Sequence, residues 1–236
     1  MLTMTRPYAT SNKIVSFVLL LFGYSLYSVK AQILDCFNDQ LTSEDRHIFL
    51  DFHNAVRRRV AKGKQANVDE YLPTASNMYK MKWSCLLEAE IHERLSRCQS
   101  YRKKMDGFGM NIHEFSDFTP GYTPDFEFEE TLNEWWSVME EFKVAEPRTT
   151  DTVERFQKVA NMLSASTTHI GCSYAFCQEV LYIGCMYHPN GTTQARIPYK
   201  TGPSCKHDSD CTTYRHSRCS DGLCIKGMAG RDVFYG

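Results

Sequence analysis

Tyr182-Ile183-Gly184-Cys185-Met186-Tyr187-His188-Pro189-Asn190-Gly191 is the stretch whose reading decides the fold. Glu179 to Tyr187 reads as a strand, and Pro189 with Gly191 marks a turn beyond it. Just upstream, His169 to Ala175 reads as a second strand, joined to the first through a turn at Cys177. Gly109 to Phe115 supplies a third. These strands are scattered among helical segments, which indicates α+β layers and not a doubly wound βαβ sheet.

Working outward, four segments have helical spacing. Leu41 to Lys64 carries Ile48, Phe49, Phe52, Ala55, Val56 and Val60 as an apolar stripe. Thr42 or Ser43 caps it, Glu44 and Asp45 suit its first turn, and Gly63 ends it. Met81 to Cys98 predicts a second helix, with Leu86, Leu87, Ala89, Ile91 and Leu95 inside. Glu129 to Lys143 predicts a third, carrying Leu132, Trp135, Trp136 and Met139. Val153 to Leu163 predicts a short fourth. Ser116 to Asp125, with Pro120, Gly121 and Pro124, reads as a loop. From Ser204 the composition turns to Asp, Ser, Thr and Lys around four cysteines. A segment so short and polar cannot bury a core of its own and must be stapled.

Residues 1–31 read as a signal peptide, 32–203 as the main domain and 204–236 as a cysteine-rich extension. Arg6 and Lys13 precede the apolar run Ile14 to Gly23, and Ala31 offers a small residue for cleavage. A membrane span needs about 20 apolar residues, so the run is read as a removed leader, and the mature chain is expected to have no transmembrane segment. All ten cysteines lie beyond Ala31. An even count in a secreted chain argues for five disulfides over thiols or a zinc-cysteine site. Removing Arg6, Lys13 and Lys30 with the leader leaves 24 of the 27 basic residues against 28 acidic ones, a charge of −4. That balance gives no reason to expect a nucleic-acid partner.

Several segments, in order, resemble the CAP superfamily of secreted proteins, and among its members the nematode venom allergen-like proteins. Asp51-Phe52-His53-Asn54-Ala55-Val56-Arg57 is similar to the family's first-helix HNxxR segment. Met81-Lys82-Trp83 and Cys98 resemble its second helix, Gly109-Met110-Asn111-Ile112 its GEN-Ile strand, and Trp135-Trp136 the aromatic pair of its third helix. Ile170-Gly171-Cys172 and Tyr182 through Gly191 resemble family signatures, and Ile197 through Cys205 the nematode close of the domain. The resemblance covers roughly Leu41 to Cys205. It implies a three-layer α-β-α sandwich closed by a small disulfide-rich tail.

The family usually gathers two His and two Glu in one cleft. The matching positions here are Arg102, Met110, Val138 and Lys158. Lys158 is placed by reading Gln157 to Ser164, eight residues back from Cys172, as the degenerate first signature. Met110 offers only a thioether and Val138 nothing, while Arg102 stays protonated. Lys158 holds a metal only if its pKa falls by several units. No metal cofactor and no metal-dependent catalysis are therefore expected, unless a shifted register brings in His113, Glu114, Glu140 or Glu141. Two cations without a carboxylate also fit an anion, against the plainer reading in which both face solvent. The resemblance further implies Cys98–Cys177 and Cys172–Cys185, with Cys36–Cys85 tying the N-terminal arm to the second helix. Cys205–Cys219 with Cys211–Cys224 is one arrangement open to the tail, since sequence does not fix the partners.

No nucleophile elbow, HExxH pair or phosphate loop occurs, and Ser166 or Ser173 with His169 is mere proximity in sequence. Arg57-Arg58-Arg59 with Lys62 and Lys64 is a basic cluster, read first as a solvated helix face. Phe115, Phe118, Tyr122, Phe126 and Phe128 punctuate an acidic loop. They fit either an apolar ligand or a loop pinned to the core. Asn190-Gly191-Thr192 is an N-glycosylation sequon. The resemblance to the nematode proteins, taken with the aromatic loop, implies a secreted, non-catalytic binding protein for sterol or fatty acid that acts on a host, which is the reading favoured. The alternative is a module that binds an extracellular receptor protein through the altered cleft and the tail.

Overall fold

The structure is a computed structural model that describes residues 34–68, 70–98, 105–116, 124–141, 150–190 and 198–227. The predicted signal peptide lies outside them. In chain order the elements are α1 (Ser43–Ala61), the short pair β1 (Ala66–Asn67) and β2 (Glu70–Tyr71), β3 (Lys82–Trp83), α2 (Cys85–Ser96), β4 (Gly109–Phe115), α3 (Asp125–Glu141), α4 (Thr150–Leu163), β5 (His169–Cys177), β6 (Val180–His188), β7 (Arg218–Ser220) and β8 (Leu223–Ile225). The central sheet runs β3-β5-β6-β4, antiparallel except for the parallel β3–β5 pair. Helix α2 packs on one face of this sheet, while α1, α3 and α4 share the core of the other. Among the described residues no helix is long and apolar enough to cross a membrane.

Local signals set the helix ends. Thr42 Oγ1 accepts the Asp45 amide at 3.1 Å while the Asp45 carboxylate accepts the Thr42 amide at 2.7 Å, a closed capping box on α1. Beyond the helix, Gly63 turns the chain at φ 65°. The second helix starts four residues later than the sequence predicts. Lys82 and Trp83 pair with His169 and Ile170 as a strand, and the Ser84 hydroxyl then caps α2. Leu86 and Ala89, predicted to be inside, lie on the outer face of α2 and are exposed. The inner face, Leu87 and Ile91, lies so close to the sheet that a Cβ on Gly171 would meet the Glu88 amide at 2.2 Å.

Of the apolar stripe predicted for α1, Phe49, Val56 and Val60 are fully buried, and a polar stripe that the prediction lacked is buried beside them. Ile48, Phe52 and Ala55 are half-buried, whereas Arg46, His53, Asn54 and Arg57 are buried. Each answers a buried main-chain group or side chain. Arg46 is held by both oxygens of buried Glu88, at 2.8 and 2.7 Å, and Glu88 also accepts from Trp83 Nε1 at 2.7 Å. The Asn54 carboxamide brackets Met81, donating to its carbonyl at 3.0 Å and accepting its amide at 2.8 Å. Arg57 donates to the carbonyls of Tyr79 and Met162 at 2.8 Å and of Ala165 and Thr167 at 3.2 Å. Burial pulls its pKa down to about 9, so it remains charged at neutral pH. His53 lies between the Phe49 carbonyl (2.7 Å) and the Tyr187 hydroxyl (2.9 Å), and burial lowers its pKa to about 4. It is therefore neutral in the folded protein at pH 7.

Five disulfides join Cys36–Cys85, Cys98–Cys177, Cys172–Cys185, Cys205–Cys219 and Cys211–Cys224. The tail has no core of its own. Its cysteines Cys205, Cys211 and Cys224 surround Tyr79, a fully buried residue of the main domain. Main-chain bonds from Lys80 to Cys224 and from Cys224 to Met78 continue that contact.

Arg57→Leu is expected to take the guanidinium away from four carbonyls, of which that of Ala165 keeps the Tyr79 amide. Losing such a buried polar hub costs about 3–5 kcal/mol. Guanidinium chloride unfolding with disulfides intact measures it, and a loss under about 1 kcal/mol would show the hub to be dispensable.

Candidate functional site

The cleft sits where the edge strand β4 meets α3 and α4. Strand alternation divides β4. Met110 and Ile112 pack on the α2 side with Leu87, Ile91 and Leu95. Asn111 and His113 point the other way, toward α4 and α3. Val138 is fully buried in the core on that second side. Met110 and Val138 therefore do not share a site, and Arg102 lies outside the described residues.

Of the three aligned positions among the described residues, Lys158 reaches a polar partner in the cleft. Its Nζ stands 3.3 Å from Glu134 Oε2, and His113 Nδ1 stands 3.5 Å from the same oxygen. The His113 ring meets Phe115 edge-on at 4.5 Å. Glu134 precedes Val138 by one helical turn, so it points toward the face where the family's carboxylate would stand. The His113 imidazole, followed by the Lys158 ammonium, holds the Glu134 carboxyl below the usual carboxylate range, against the opposing effect of its partial burial. This corrects the reading of two cations without a carboxylate, and the anion site loses its premise. Of the shifted partners considered, His113 takes part, while Glu114 and Glu140 are exposed and Glu141 pairs with Arg155 at 2.7 Å. Sequence reasoning missed Glu134. Its signal was the i, i+4 spacing to Val138.

The trio does not fit a divalent cation. It offers one imidazole and one carboxylate, and an ammonium occupies the space where a cation would bind that carboxylate. The sulfurs of Cys205, Cys211 and Cys224 lie within 4.8 Å of one another, but all three belong to disulfides and none is a thiolate. Ser173 Oγ lies 3.3 Å from His92 Nδ1, not against His169. Ser173 is fully buried, and the other His92 nitrogen faces Ser96 Oγ at 3.4 Å, with no carboxylate behind it among the described residues. That arrangement cannot activate a nucleophile.

The basic cluster on α1 is divided. Arg57 is in the core, while Arg58 and Lys62 bind Asp221 of the tail. The predicted aromatic loop is also redistributed. Phe118 and Tyr122 lie outside the described residues. Phe126 and Phe128 belong to the first turn of α3, where Phe128 is buried against Phe49 at 4.9 Å and Phe126 is 77% exposed. Phe128 also meets Tyr174 at 5.8 Å, and Tyr174 meets Phe176 edge-on at 5.7 Å. In the sheet, Phe176, Leu181 and Phe115 stand in one cross-strand row. The result is an aromatic ledge at the end of the sheet, with Phe176 39% exposed. Burial, with Asp45 and Asp125 nearby, pushes the Tyr174 hydroxyl up in pKa. Asn190 is exposed, and the rest of its sequon lies outside the described residues.

The family described as "CAP: Cysteine-rich secretory protein family" matches residues 50–187. The chain is 36% identical over 192 residues to Ancylostoma secreted protein of Ancylostoma caninum, covering 81% of this chain and 45% of that one. It is 26% identical to the cysteine-rich venom protein helothermine of Heloderma horridum horridum, over 78% and 71% of the two chains. Among solved structures, Na-ASP-1 superposes with a TM-score of 0.73 at 35% identity, covering 84% of this chain and 49% of that one. The chain thus spans about half the length of the Ancylostoma relative and of Na-ASP-1. BmVAL-1 superposes with a TM-score of 0.69 at 26% identity, covering 82% of this chain and 100% of that one.

The Glu134 carboxyl is expected to titrate below its ordinary value of about 4.3, and Lys158→Met is expected to raise it. Because the folded pKa is the lower one, the contribution to stability is present above the unfolded pKa. It is lost as pH falls through the folded value. Carboxyl NMR titration of both proteins measures this. An identical midpoint in the variant would remove Lys158 from the cluster.

Proposed function

The chain belongs to the CAP family of cysteine-rich secretory proteins, and from that premise we propose that it is an extracellular binding protein without catalysis that carries a sterol or fatty acid. One observation supports the ligand class: the partly exposed side chains of Phe115, Tyr174 and Phe176 over buried Leu181 at the end of the sheet, together with exposed Phe126 in the first turn of α3. Planar apolar ligands gain most from such stacked aromatic surface. The cleft argues against a competing chemistry, because Glu134 is already neutralised by its neighbours and no accessible nucleophile stands beside a base. Five disulfides suit an oxidising compartment. Action on a host is an extension from relatives whose names describe secreted and venom proteins.

A receptor-binding module is the second reading. Its support is the tail, held against the main domain by Tyr79 and the Asp221 ion pairs, which keeps exposed polar residues such as Lys206, His207 and Asp208 in a fixed place. Deleting the tail before Cys205 is a poor way to separate the two readings, since it would uncover Tyr79.

Labelled cholesterol is expected to bind the secreted protein saturably, and Phe126→Ser to weaken it roughly tenfold or more. Burying a Phe side chain contributes about 1.5–3 kcal/mol, and 1.4 kcal/mol is about tenfold in affinity. No saturable binding by the unmodified protein would sink the lipid reading. Unchanged affinity in the variant would move the site off the ledge.

A further inference from the structure

Where the tail meets the main domain, a groove of about 250 Å³ opens to solvent. Ser76, Asn77, Ser164, Ser166, Thr213 and Asn190 line it, with Lys200 at its edge. Small-molecule sites usually enclose roughly 300–1,000 Å³ and are largely apolar. This groove is smaller and mixed in character, with hydroxyls and carboxamides beside the apolar faces of Ala165 and Pro198. A free ligand would lose its translational freedom for little contact there. A ligand covalently attached to the wall would not, because its effective concentration is fixed by the tether.

One lining residue is such an attachment point. Asn190 begins the sequon Asn190-Gly191-Thr192. The peptide unit that joins it to Pro189 is held at both its amide and its carbonyl. The Asn190 amide donates to the Gly107 carbonyl at 3.0 Å, and Thr167 Oγ1 donates to the Pro189 carbonyl at 2.7 Å. Its side-chain carboxamide makes no hydrogen bond among the described residues, so the amide nitrogen that would carry a sugar is not engaged.

We infer that Asn190 carries an N-linked glycan whose first sugars lie in this groove and cover the joint between domain and tail. This rests on the extracellular reading above, because the sugar is added in the secretory pathway. The groove contains the latch that holds the tail. Asn77 Oδ1 accepts the amides of Thr212 at 2.7 Å and Thr213 at 3.2 Å. Behind it, the Tyr214 hydroxyl donates to the Ser166 carbonyl at 2.7 Å. These bonds are reachable by water at the groove. Sugar hydroxyls seated there would meet the Ser76 and Ser166 hydroxyls and exclude water from the latch.

The test uses the full chain expressed in a eukaryotic secretory host, beside Asn190→Gln and Thr192→Ala. Intact mass before and after glycosidase is expected to show one glycan on the parent and none on either variant. Amide hydrogen exchange at Thr212 and Thr213 is expected to be several-fold slower in the glycosylated parent than in both variants. Protein trimmed to its first sugar should keep that protection. Secreted protein without sugar at Asn190 would overturn the inference alone. A glycan with no effect on exchange would overturn its seating in the groove. Retention of the chain inside the cell would instead count against the extracellular reading.

Discussion

The fold depends on a cation with no anion beside it. Arg57 is buried and answers carbonyls from three places in the chain: Tyr79 before β3, Met162 at the end of α4, and the loop carbonyls of Ala165 and Thr167. These carbonyls belong to irregular chain or to a helix end, outside the regular ladders, although that of Ala165 also accepts the Tyr79 amide. A planar guanidinium can satisfy several carbonyls at fixed angles, which a lysine cannot. With Asn54 bracketing Met81, one face of α1 thereby fixes the chain that enters the sheet and the chain that leaves α4. The cleft inherits its shape from this, since Lys158 stands on α4 and β4 is joined to α4 through Asn111 and Asn161.

Strand periodicity and the start of α1 were legible in the sequence because they are local, whereas the Ser84 cap of α2 was not. Gly109 to Phe115 reads directly as a strand, and Thr42 with Asp45 carries its capping box on its face. The polar inner stripe of α1 was harder to read. Arg, His and Asn at helical spacing look like a solvated face until the unpaired carbonyls opposite them are known, and those lie 22 to 110 residues away. The same limit hid Glu88, whose partner Arg46 is 42 residues distant. Met81 to Trp83 read as helix because their pairing with β5 is a long-range parallel contact.

The cleft was legible only in part. Alignment marked Lys158 as a cation at a position where the family has a ligand. It did not reveal that a carboxylate one turn from Val138 had moved in to meet it. Position-by-position substitution suggests a site emptied of acid, whereas side-chain reach on a helix lets Glu134 serve the same space from a different residue. The aromatic residues teach a related lesson. Phe126 and Phe128 are two apart at the start of α3, so they point in different directions. One closes the core against Phe49 and the other meets solvent. Tyr174 and Phe176 join them from a strand that no loop pattern would have included.

Tyr79 has a consequence for how the protein is made. During synthesis the chain emerges from its N-terminal side, so Tyr79 and the sheet beside it exist before Cys205, Cys211, Cys219 and Cys224 are available. Around Tyr79, the tail cysteines meet a surface that has already taken shape. The tail thus borrows its folding instructions from the older part of the molecule, and the choice among its possible sulfur pairings is made by a template and not by the tail sequence itself.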